Sequence, residues 1–537
     1  MRLKVLAAVS ALFLSAAAIA QQGTEPPFTA DAFRAHVAFL SDDLLEGRNA
    51  GERGYDLAAR YVATRFAALG LSPAADGSWY QKVPFQESRL GDGPAELTIG
   101  GQAFVNGGDV LIEPSADEAT QDLRGEVVFV GFGLNEPARG FDDYAGLDVK
   151  GKIVAMLSGF PKGTPSELGA HLASEKARMA EERGAIGVIS IPTRASLKAV
   201  SWEKRKDYAG QPSLTWIGKD GKPYDEAPGI RLGASLNTPA AEALFSGAKT
   251  SLSAVLDQAD KEGGKPKGFA LNQPVTFQRT STKRMLESPN VVAVLPGSDP
   301  ALADEYVLLM AHLDHDGPKA EGEDRIMNGA MDNASGIATM LEVAGAMATS
   351  PERPKRPILF AAVTAEEDGL LGSQYLAKNP VVDGKVVGVV NLDMPVLLYD
   401  FTDVVAFGAE HSTLGPIVER AAGRMDVALA EDPMPEQGLF TRSDHYRFVQ
   451  EGVPSVFLMT GFSNGGKEKF THFLSTNYHT VNDEIALPFD WQAGAKFARI
   501  NYLIAREIAD ADQAPRWYAD DFFGDTFAPQ ASKATAP

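Results

Sequence analysis

The chain has 537 residues, no cysteine and a formal net charge of -21. This length exceeds one ordinary domain, and the negative charge argues against nucleic acid or an anionic membrane surface as a partner. The absence of cysteine excludes disulfides, thiolate metal sites and a cysteine nucleophile. Any bound metal must therefore be held by nitrogen and oxygen ligands.

The first twenty residues have the pattern of a secretory signal peptide. Arg2 and Lys4 precede an apolar run from Leu6 to Ala17, and Ala18-Ile19-Ala20 supplies small residues before a cleavage point. The run is shorter than the roughly 20 residues that a membrane span needs. We therefore expect a periplasmic or secreted protein that does not insert into a membrane once residues 1–20 are removed.

The next two regions differ in their periodicity. Residues 21–90 carry apolar residues at helical spacing, as in GYDLAARYVATRFAALGL, and are predicted to be the helical start of a larger domain. Residues 91–275 contain short β-type runs with glycine-rich turns, such as RGEVVFVGFGL and GKIVAMLSGF. This change predicts a separate β-rich module inserted into the larger domain, with His171 on its surface.

Strands and helices alternate in residues 276–512. The runs NVVAVLPG, YVLLMAHLDH, PILFAAVTAEEDG and VVGVVNLDM read as strands with helix-like segments between them. Such alternation predicts an α/β domain with a mixed, mostly parallel central sheet. Residues 513–537 mix aromatic and small residues, and we expect them to form a tail on the surface.

Several polar side chains stand where these predicted strands end. His312, the pair Glu366 and Glu367, and Asp393 each follow an apolar run, and ligands of open α/β sheets bind beyond the carboxyl ends of the strands. Asp332 precedes a helix-like segment, and His479 follows from a late loop. We expect these six residues to converge on one site.

The residue types in this set fit two divalent metals that share one bridging carboxylate, and such metals lie about 3.5–4 Å apart. Zinc is the default metal for nitrogen and oxygen ligands, with manganese or cobalt as alternatives. Glu366 and Glu367 are adjacent and cannot both point at one metal from an extended strand end. One can bind metal while the other acts as a general base that removes a proton from water. Water activated in this way would hydrolyse an amide bond.

The motifs HLDH, NGAMDNASG, AEEDG, NLDM and YHT, in this order and spacing, resemble the di-zinc aminopeptidases of metallopeptidase family twenty-eight, of the aminopeptidase S and aminopeptidase Y type. That group is related to glutamate carboxypeptidase II and to the inactive transferrin receptor ectodomain. The resemblance covers about 28–90 and 276–512, and it implies a three-layer αβα sandwich of the zinc-peptidase type. The inserted module is similar to a protease-associated domain.

The resemblance implies a role for each metal-site residue. His312 and Asp393 would bind one zinc ion, Glu367 and His479 the other, and Asp332 would bridge the two ions of each chain. The family also often has a cis peptide bond after the bridging aspartate.

Further roles follow from the same resemblance. Glu366 would be the general base, and the carboxylate of Asp314 would orient His312, as a second carboxylate often does for a metal-binding histidine. Tyr478 would stabilise the oxyanion or simply line the pocket. The substrate pocket would include Asn333, Asp444 and His445, and His472 is a rival of His479 as a ligand.

The predicted function is that of an exported aminopeptidase that hydrolyses the N-terminal peptide bond of peptides. One alternative is a carboxypeptidase or dipeptidase with the same metals, for which Arg325 and Arg442 are the only arginines close to a motif. The other is a non-catalytic, receptor-like protein that binds peptides. The complete set of ligands argues against this second alternative.

Overall fold

The computed structural model describes residues 26–209 and 211–537, so the predicted signal peptide lies outside the described residues. The described chain forms a large mixed sheet of twelve strands, a second sheet of six strands and numerous helices. This architecture confirms the predicted α/β fold with a mixed central sheet. None of the described helices combines the length and apolar character that crossing a membrane requires.

The large sheet has a parallel centre and antiparallel flanks. Its main path, in spatial order, is Ser213–Trp216, Tyr80–Ile99, Val275–Leu295, Ile358–Val363, Glu305–His312, Lys385–Leu392, Ser455–Thr460, Asp403–Phe407 and Ala428–Ala430. Short strands at Ser72–Pro73, Gln102–Val105 and Thr120–Gly125 pair beside this path. The four strands from Ile358–Val363 to Ser455–Thr460 run parallel to one another.

The central strands are buried on both faces. Val307, Leu309 and Ala311 pack into the core on one side of the sheet, whereas Leu308 and Met310 pack on the other. Successive side chains of a strand point to opposite faces, so a strand covered on both sides has no polar positions. This is why the sequence shows an uninterrupted apolar run before His312.

Helices cover the two faces and complete three layers. On one face lie Ala30–Leu40, Arg53–Ala68, Ser335–Thr349, Leu414–Gly423 and Trp491–Asp510, and on the other lie Leu371–Lys378 and His445–Val449. Short helices of 3₁₀ type occur at Asp43–Arg48, Pro300–Leu302, Ala409–His411, Pro435–Gln437 and Leu439–Thr441, a π-type turn at Ala330–Ala334, and a helix at Gly466–Thr476. Side chains cap several helix starts: that of Asp490, for example, accepts a hydrogen bond from the N–H of Ala493.

The prediction that residues 21–90 are mainly helical is wrong for their last part. The helices end at Ala68, and residues 80–99 form a strand twenty residues long. Val83 and Phe85 are buried within it, a two-residue alternation typical of a strand. This strand pairs antiparallel with Val275–Leu295 along almost its whole length.

The second sheet has a core of its own. Its strands, in spatial order, are Phe269–Ala270, Val127–Phe129, Ile153–Leu157, Gly187–Ile191, Leu232–Leu236 and Val110–Ile112. The same region contains the paired strands Asn135–Glu136 and Phe141–Asp142, the 3₁₀ turn Pro137–Arg139, and helices at Ser166–Ser174, Lys176–Glu182, Arg194–Ala199, Trp202–Ala209, Thr238–Leu244 and Leu252–Ala259. Leu97 and Phe277 belong to this core as well. The long two-stranded ribbon therefore joins both sheets.

The C-terminal segment is built into the protein and does not form the expected surface tail. Trp517 and Phe523 are each only 2% exposed, and a short helix spans Phe522–Phe527. His171, expected on the surface, is also buried: its Nδ1 lies 2.6 Å from the hydroxyl of Tyr446, and the ring of Phe522 packs against it. Aromatic side chains from three parts of the chain thus share one apolar junction, because together they remove large areas from water.

One histidine links the same three parts of the chain. His411 Nδ1 lies 2.6 Å from the carboxylate of Asp521, and its Nε2 lies 2.7 Å from that of Glu167. Burial alone would lower the pKa of His411, but the hydrogen bonds to Asp521 and Glu167 outweigh burial and raise the pKa to about 10. The imidazolium therefore fastens the inserted region and the C-terminal segment to the large domain.

This arrangement predicts a pH-dependent loss of stability in His411→Gln. The pKa is about 10 in the folded state and 6.5 without partners, so His411 stabilises the fold fully below pH 6.5 and loses this effect as the pH rises towards 10. We expect the melting temperature of the variant to fall further below wild type at about pH 6 than at about pH 9, as measured by calorimetry. The exposed His472→Gln is the control; equal deficits at both pH values would contradict the assignment.

Candidate metal centre

The carboxylate of Asp332 lies between two groups of side chains. Its Oδ1 is 3.2 Å from His312 Nε2, which is itself 3.2 Å from Asp393 Oδ1. Its Oδ2 is 3.3 Å from His479 Nε2, which is itself 3.2 Å from Glu367 Oε2. The structure thus brings all five predicted ligands together and gives each oxygen of Asp332 one histidine and one further carboxylate.

The spacing of these atoms fits zinc. Ligand atoms about 2.0–2.1 Å from a tetrahedral zinc ion stand about 3.3 Å from one another, which is close to the four distances above. Imidazole nitrogens and carboxylate oxygens are ordinary zinc ligands. The residues present therefore have donors and spacings that fit zinc, and Asp332 contributes one oxygen to each of the two groups.

The ends of the parallel strands explain this convergence. His312 is the last residue of its strand, Asp393 directly follows the strand Lys385–Leu392, and Glu367 lies four residues beyond the strand Ile358–Val363. All three strands are parallel neighbours, so their carboxyl ends meet at one edge. His479 reaches the same edge from the loop that follows the helix Gly466–Thr476.

The charges at this centre favour a cation. Burial opposes ionisation of Asp332, but its contacts with His312 and His479 hold its pKa well below the usual value. Burial would lower the pKa of His479, yet the carboxylates of Asp332 and Glu367 raise it to about 12. The carboxylates thus stabilise positive charge where a metal ion would bind, and metal binding would release the protons of the two histidines.

The carboxylate of Glu366 lies close to the same centre. Its carboxylate is within 4.8 Å of donor atoms of His312 and Glu367. Burial raises the pKa of Glu366, His312 opposes this effect, and the negative charge of Glu367 adds to it. A carboxyl group that takes up a proton readily beside a metal centre is suited to general acid–base chemistry.

Asp483 holds the loop that carries Asp332. The Asp483 side chain is fully buried and accepts hydrogen bonds from the N–H groups of Met331, at 2.8 Å, and Asp332, at 2.9 Å. Its backbone carbonyl accepts a third bond, from the N–H of Ala330. Sequence reasoning missed Asp483, whose only signal was its position four residues after His479.

The side chain of Arg48 holds several backbone segments near the centre by hydrogen bonds to their carbonyls. Its side chain is 1% exposed and donates to the carbonyls of Leu313, at 2.9 Å, and Gly329, at 3.0 Å, and to those of Asn328 and Leu40. Gly329 has φ +57°, and a Cβ atom there would lie 2.1 Å from the carbonyl oxygen of Asp332. Only glycine therefore fits at position 329.

Ser443 holds the ligand Asp393. The hydroxyl of Ser443 donates to Asp393 Oδ2 at 2.5 Å and accepts a bond of 2.6 Å from the side chain of Asn391. Asp393 Oδ1 therefore remains directed at His312. Such contacts fix the direction in which a ligand points and tune its basicity.

Comparisons with known proteins show what part of the chain resembles. Residues 290–505, which are less than half of the chain, match the sequence model of Peptidase family M28. This part of the chain is similar to M28 peptidases. A probable zinc metalloprotease of Pyrenophora teres f. teres is 40% identical over 107 residues, which is 19% of this chain and 22% of that protein. Another, of Pyricularia oryzae, is 28% identical over 257 residues, 41% of this chain and 50% of that protein.

A solved structure extends the likeness to most of the fold. The aminopeptidase from Aneurinibacillus sp. strain AM-1 shares 21% sequence identity with a TM-score of 0.52, over 90% of this chain and 94% of that one. By contrast, the chain spans half or less of the two zinc metalloproteases named above. The solved structure therefore supports the whole fold, whereas the sequence relatives support only part of the chain.

The carboxylate of Asp314 contacts a different partner from the one predicted. Its backbone carbonyl, rather than its carboxylate, lies 3.2 Å from His312 Nδ1. The carboxylate accepts a hydrogen bond of 3.2 Å from the N–H of Glu367. The reason is that the strand ends at His312, so the alternation that would place both side chains on one side stops there.

The side chain of Asn333 holds the backbone around the centre, and its predicted place in a substrate pocket stays a prediction. Its side chain donates to the carbonyl of Leu392 at 2.9 Å and accepts from the N–H groups of Gly336, at 2.9 Å, and Met394, at 3.2 Å. These bonds tie the turn after Asp332 to the strand end that carries Asp393. The peptide bond between Asp332 and Asn333 is cis, as expected.

Asp444 and His445 are both fully buried, and their predicted place in the substrate pocket stays a prediction. The imidazole of His445 lies between the rings of Phe440 and Phe457, and burial lowers its pKa to about 3. Neither carboxylate oxygen of Asp444 has a hydrogen-bond partner among the described residues, and burial raises the pKa of this group to about 7.

The remaining predicted residues occupy distinct positions. Tyr478 lies beside His479, with their ring centroids 3.9 Å apart. Burial raises the pKa of Tyr478, and the carboxylates of Asp332 and Glu367 raise it further, so the phenol keeps its proton as a hydrogen-bond donor. His472 is exposed and belongs to none of the metal-binding groups among the described residues.

The two hydrogen bonds to Asp483 predict an ordered series of stabilities. Asp483→Ala leaves two buried N–H groups without an acceptor, whereas Asp483→Asn keeps one oxygen for one of them. Hydrogen bonds to charged groups contribute about 1.5–3 kcal/mol each. We expect urea unfolding of the metal-free protein to rank wild type above Asp483→Asn and that variant above Asp483→Ala, with an overall loss of roughly 2–5 kcal/mol. Equal stability of wild type and the alanine variant would contradict this role.

Proposed function

We propose that this chain is an exported di-zinc aminopeptidase that hydrolyses the N-terminal peptide bond of peptides. The observation that carries the proposal is the division of the Asp332 oxygens between His312 and His479. One carboxylate between two sets of nitrogen and oxygen donors is the arrangement that a two-metal hydrolase needs. The match of residues 290–505 to the M28 family model supports the same conclusion.

Five residues would hold the two ions. His312 and Asp393 would bind one, Glu367 and His479 the other, and Asp332 both. Zinc is the expected metal, and manganese or cobalt would also suit these donors. When bound, such a pair supplies Lewis-acid activation of an amide carbonyl and of a water molecule.

The protein supplies proton transfer and a hydrogen-bond donor. Glu366 would accept the proton of the attacking water and pass it to the leaving amine, because its carboxyl group lies within 4.8 Å of the ligand atoms of His312 and Glu367. Tyr478 would donate its phenol proton in a hydrogen bond to the negative oxygen that forms on the scissile carbonyl. Its position beside His479 supports this role.

The charges around the centre favour a substrate with a free amine. Asp316 and Glu366 add two carboxylates to those of the ligands. Arg325 and Arg442, which a carboxypeptidase or dipeptidase would use to bind a free carboxylate, are both exposed. Each donates to a backbone carbonyl of its own loop. Aminopeptidase activity is therefore the better fit.

The location and the inserted region complete the proposal. The charged, apolar and small-residue pattern of residues 1–20 supports export to the periplasm or the exterior. The runs VVFVGFGL and EERGAIGVISI support a protease-associated domain in the inserted region, which folds around its own sheet.

Removal of metal provides the first test. We expect dialysis against a chelator to abolish hydrolysis of aminoacyl-chromophore substrates and added zinc to restore it, with two zinc ions per chain measured by atomic emission. Hydrolysis confined to substrates with a free amine would support an aminopeptidase. Equal cleavage of amine-blocked peptides with a free carboxylate would select a carboxypeptidase or dipeptidase, and peptide binding without turnover would select a receptor-like protein.

The neighbouring glutamates allow a matched test of the general base. Glu366→Gln should keep both zinc ions and lose about 10²–10⁴-fold in kcat, because the amide cannot accept a proton. Glu367→Gln should instead lose zinc, since an amide is a weaker ligand than a carboxylate. Full activity of Glu366→Gln, or loss of its zinc, would show that the two roles have been assigned wrongly.

A further inference from the structure

We propose that the neighbouring residues His315 and Asp316 position the two side chains of one metal site, Glu367 and His479. The inference rests on the proposed two-metal function and deepens it. Glu367 directs Oε2 at His479 and Oε1 at His315. His479 directs Nε2 at Asp332 and Glu367, and Nδ1 at Asp316. Sequence reasoning missed both contacts, and His315 and Asp316 are positioning residues rather than ligands.

His315 fixes the direction of Glu367. The Nδ1 atom of His315 lies 2.7 Å from Glu367 Oε1, which leaves Oε2 directed at His479. His315 Nε2 has no hydrogen-bond partner among the described residues. A carboxylate can only accept a hydrogen bond, so the Nδ1 of His315 carries a proton and donates it to Glu367. This bond orients the glutamate as a ligand and limits its rotation.

Asp316 acts on the other ligand in the same way. Its Oδ2 lies 3.4 Å from His479 Nδ1, while His479 Nε2 faces Asp332 and Glu367. A metal-binding histidine commonly donates its second N–H to a carboxylate, which selects the tautomer and the plane of the ring. Asp316 is the described carboxylate in that position.

The 315–316 pair is itself held firmly. The side chain of His315 is fully buried, and its backbone N–H donates to the carbonyl of Arg48 at 3.3 Å. Gly329 leaves room for the imidazole, because a Cβ atom there would lie 2.7 Å from the ring. The ring also packs edge-on against His479, at a centroid distance of 5.7 Å. A rigid support of this kind can position ligands.

The other metal site has separate supports. His312 relies on the backbone carbonyl of Asp314, and Asp393 relies on Ser443. Changes at His315 or Asp316 should therefore weaken one site and leave the other intact. The expected size is a 10–100-fold loss of affinity, which is typical when a residue that orients a metal ligand is removed.

Zinc binding to five purified full-length variants tests this inference. His315→Ala and Asp316→Ala remove the contacts, whereas His315→Asn keeps a donor near the Nδ1 position and Asp316→Asn keeps an acceptor. Glu321→Gln, an exposed position on the same loop, is the matched control. Chelator competition gives the two zinc affinities of each protein, and melting temperatures are measured with and without zinc.

We expect both alanine variants to bind one zinc ion as tightly as wild type and the other 10–100-fold more weakly. The asparagine variants should recover most of this loss, and the control should match wild type. Recovery by His315→Asn also separates positioning from direct ligation, since an amide would not replace an imidazole ligand. The increase in melting temperature on adding zinc should be smaller in the alanine variants than in the control.

Two results would overturn the inference. One is wild-type affinity at both sites in all four variants. The other is a lower melting temperature without zinc together with an unchanged increase on adding zinc, which would show a purely structural role. If His315→Ala does not fold, the two asparagine variants and Asp316→Ala carry the test. Binding of a single zinc ion by wild type would instead refute the proposed two-metal function.

Discussion

The site depends on one buried carboxylate that faces two imidazoles. Asp332 is 3% exposed, and moving an isolated carboxylate into such a place is costly unless it is paired. The two histidines supply the compensating charge, and two metal ions would supply more. One oxygen of Asp332 faces His312 and the other faces His479. The backbone of the loop that carries Asp332 must therefore be held in one conformation. The bonds from Arg48 to the carbonyl of Gly329 and from Asp332 to Asp483 meet this requirement.

The positions of the strand-end residues could be predicted from the sequence. An apolar run of strand length ends at His312, and further runs end just before Glu366 and Asp393. Parallel strands place such ends at one edge, so local patterns were sufficient to bring these residues together. The contacts that orient them could not be predicted in this way. Arg48 meets Leu313 across 265 positions of the chain, and no periodicity connects residues so far apart.

Residue type alone does not decide which polar residues line the pocket. Asn333, Asp444 and His445 are polar and stand next to ligands in the chain, yet the structure uses or buries all three side chains. A polar residue beside a metal ligand can face a substrate or support the backbone, and the sequence contains no signal that separates the two. For the same reason, the sequence did not predict that the C-terminal segment is buried. Trp517 and Phe523 could have lain on the surface, but both belong to the core of the large domain. The ring of Phe523 also packs against His171 of the inserted region.

Supports for both halves of the centre lie in one short segment of the chain. Asp314, which supports His312, is followed directly by His315 and Asp316, and all three lie in the loop that begins after the strand end at His312. A single rigid segment therefore sets the direction of ligands from three separate elements. Arg48 holds this segment in turn, because its side chain donates to the backbone carbonyls of Leu313 and Asn328. The positions of the metal-site loops thus depend on the buried side chain of Arg48, which lies outside the matched residues 290–505. An arginine has five N–H donors and can hold several loops at once.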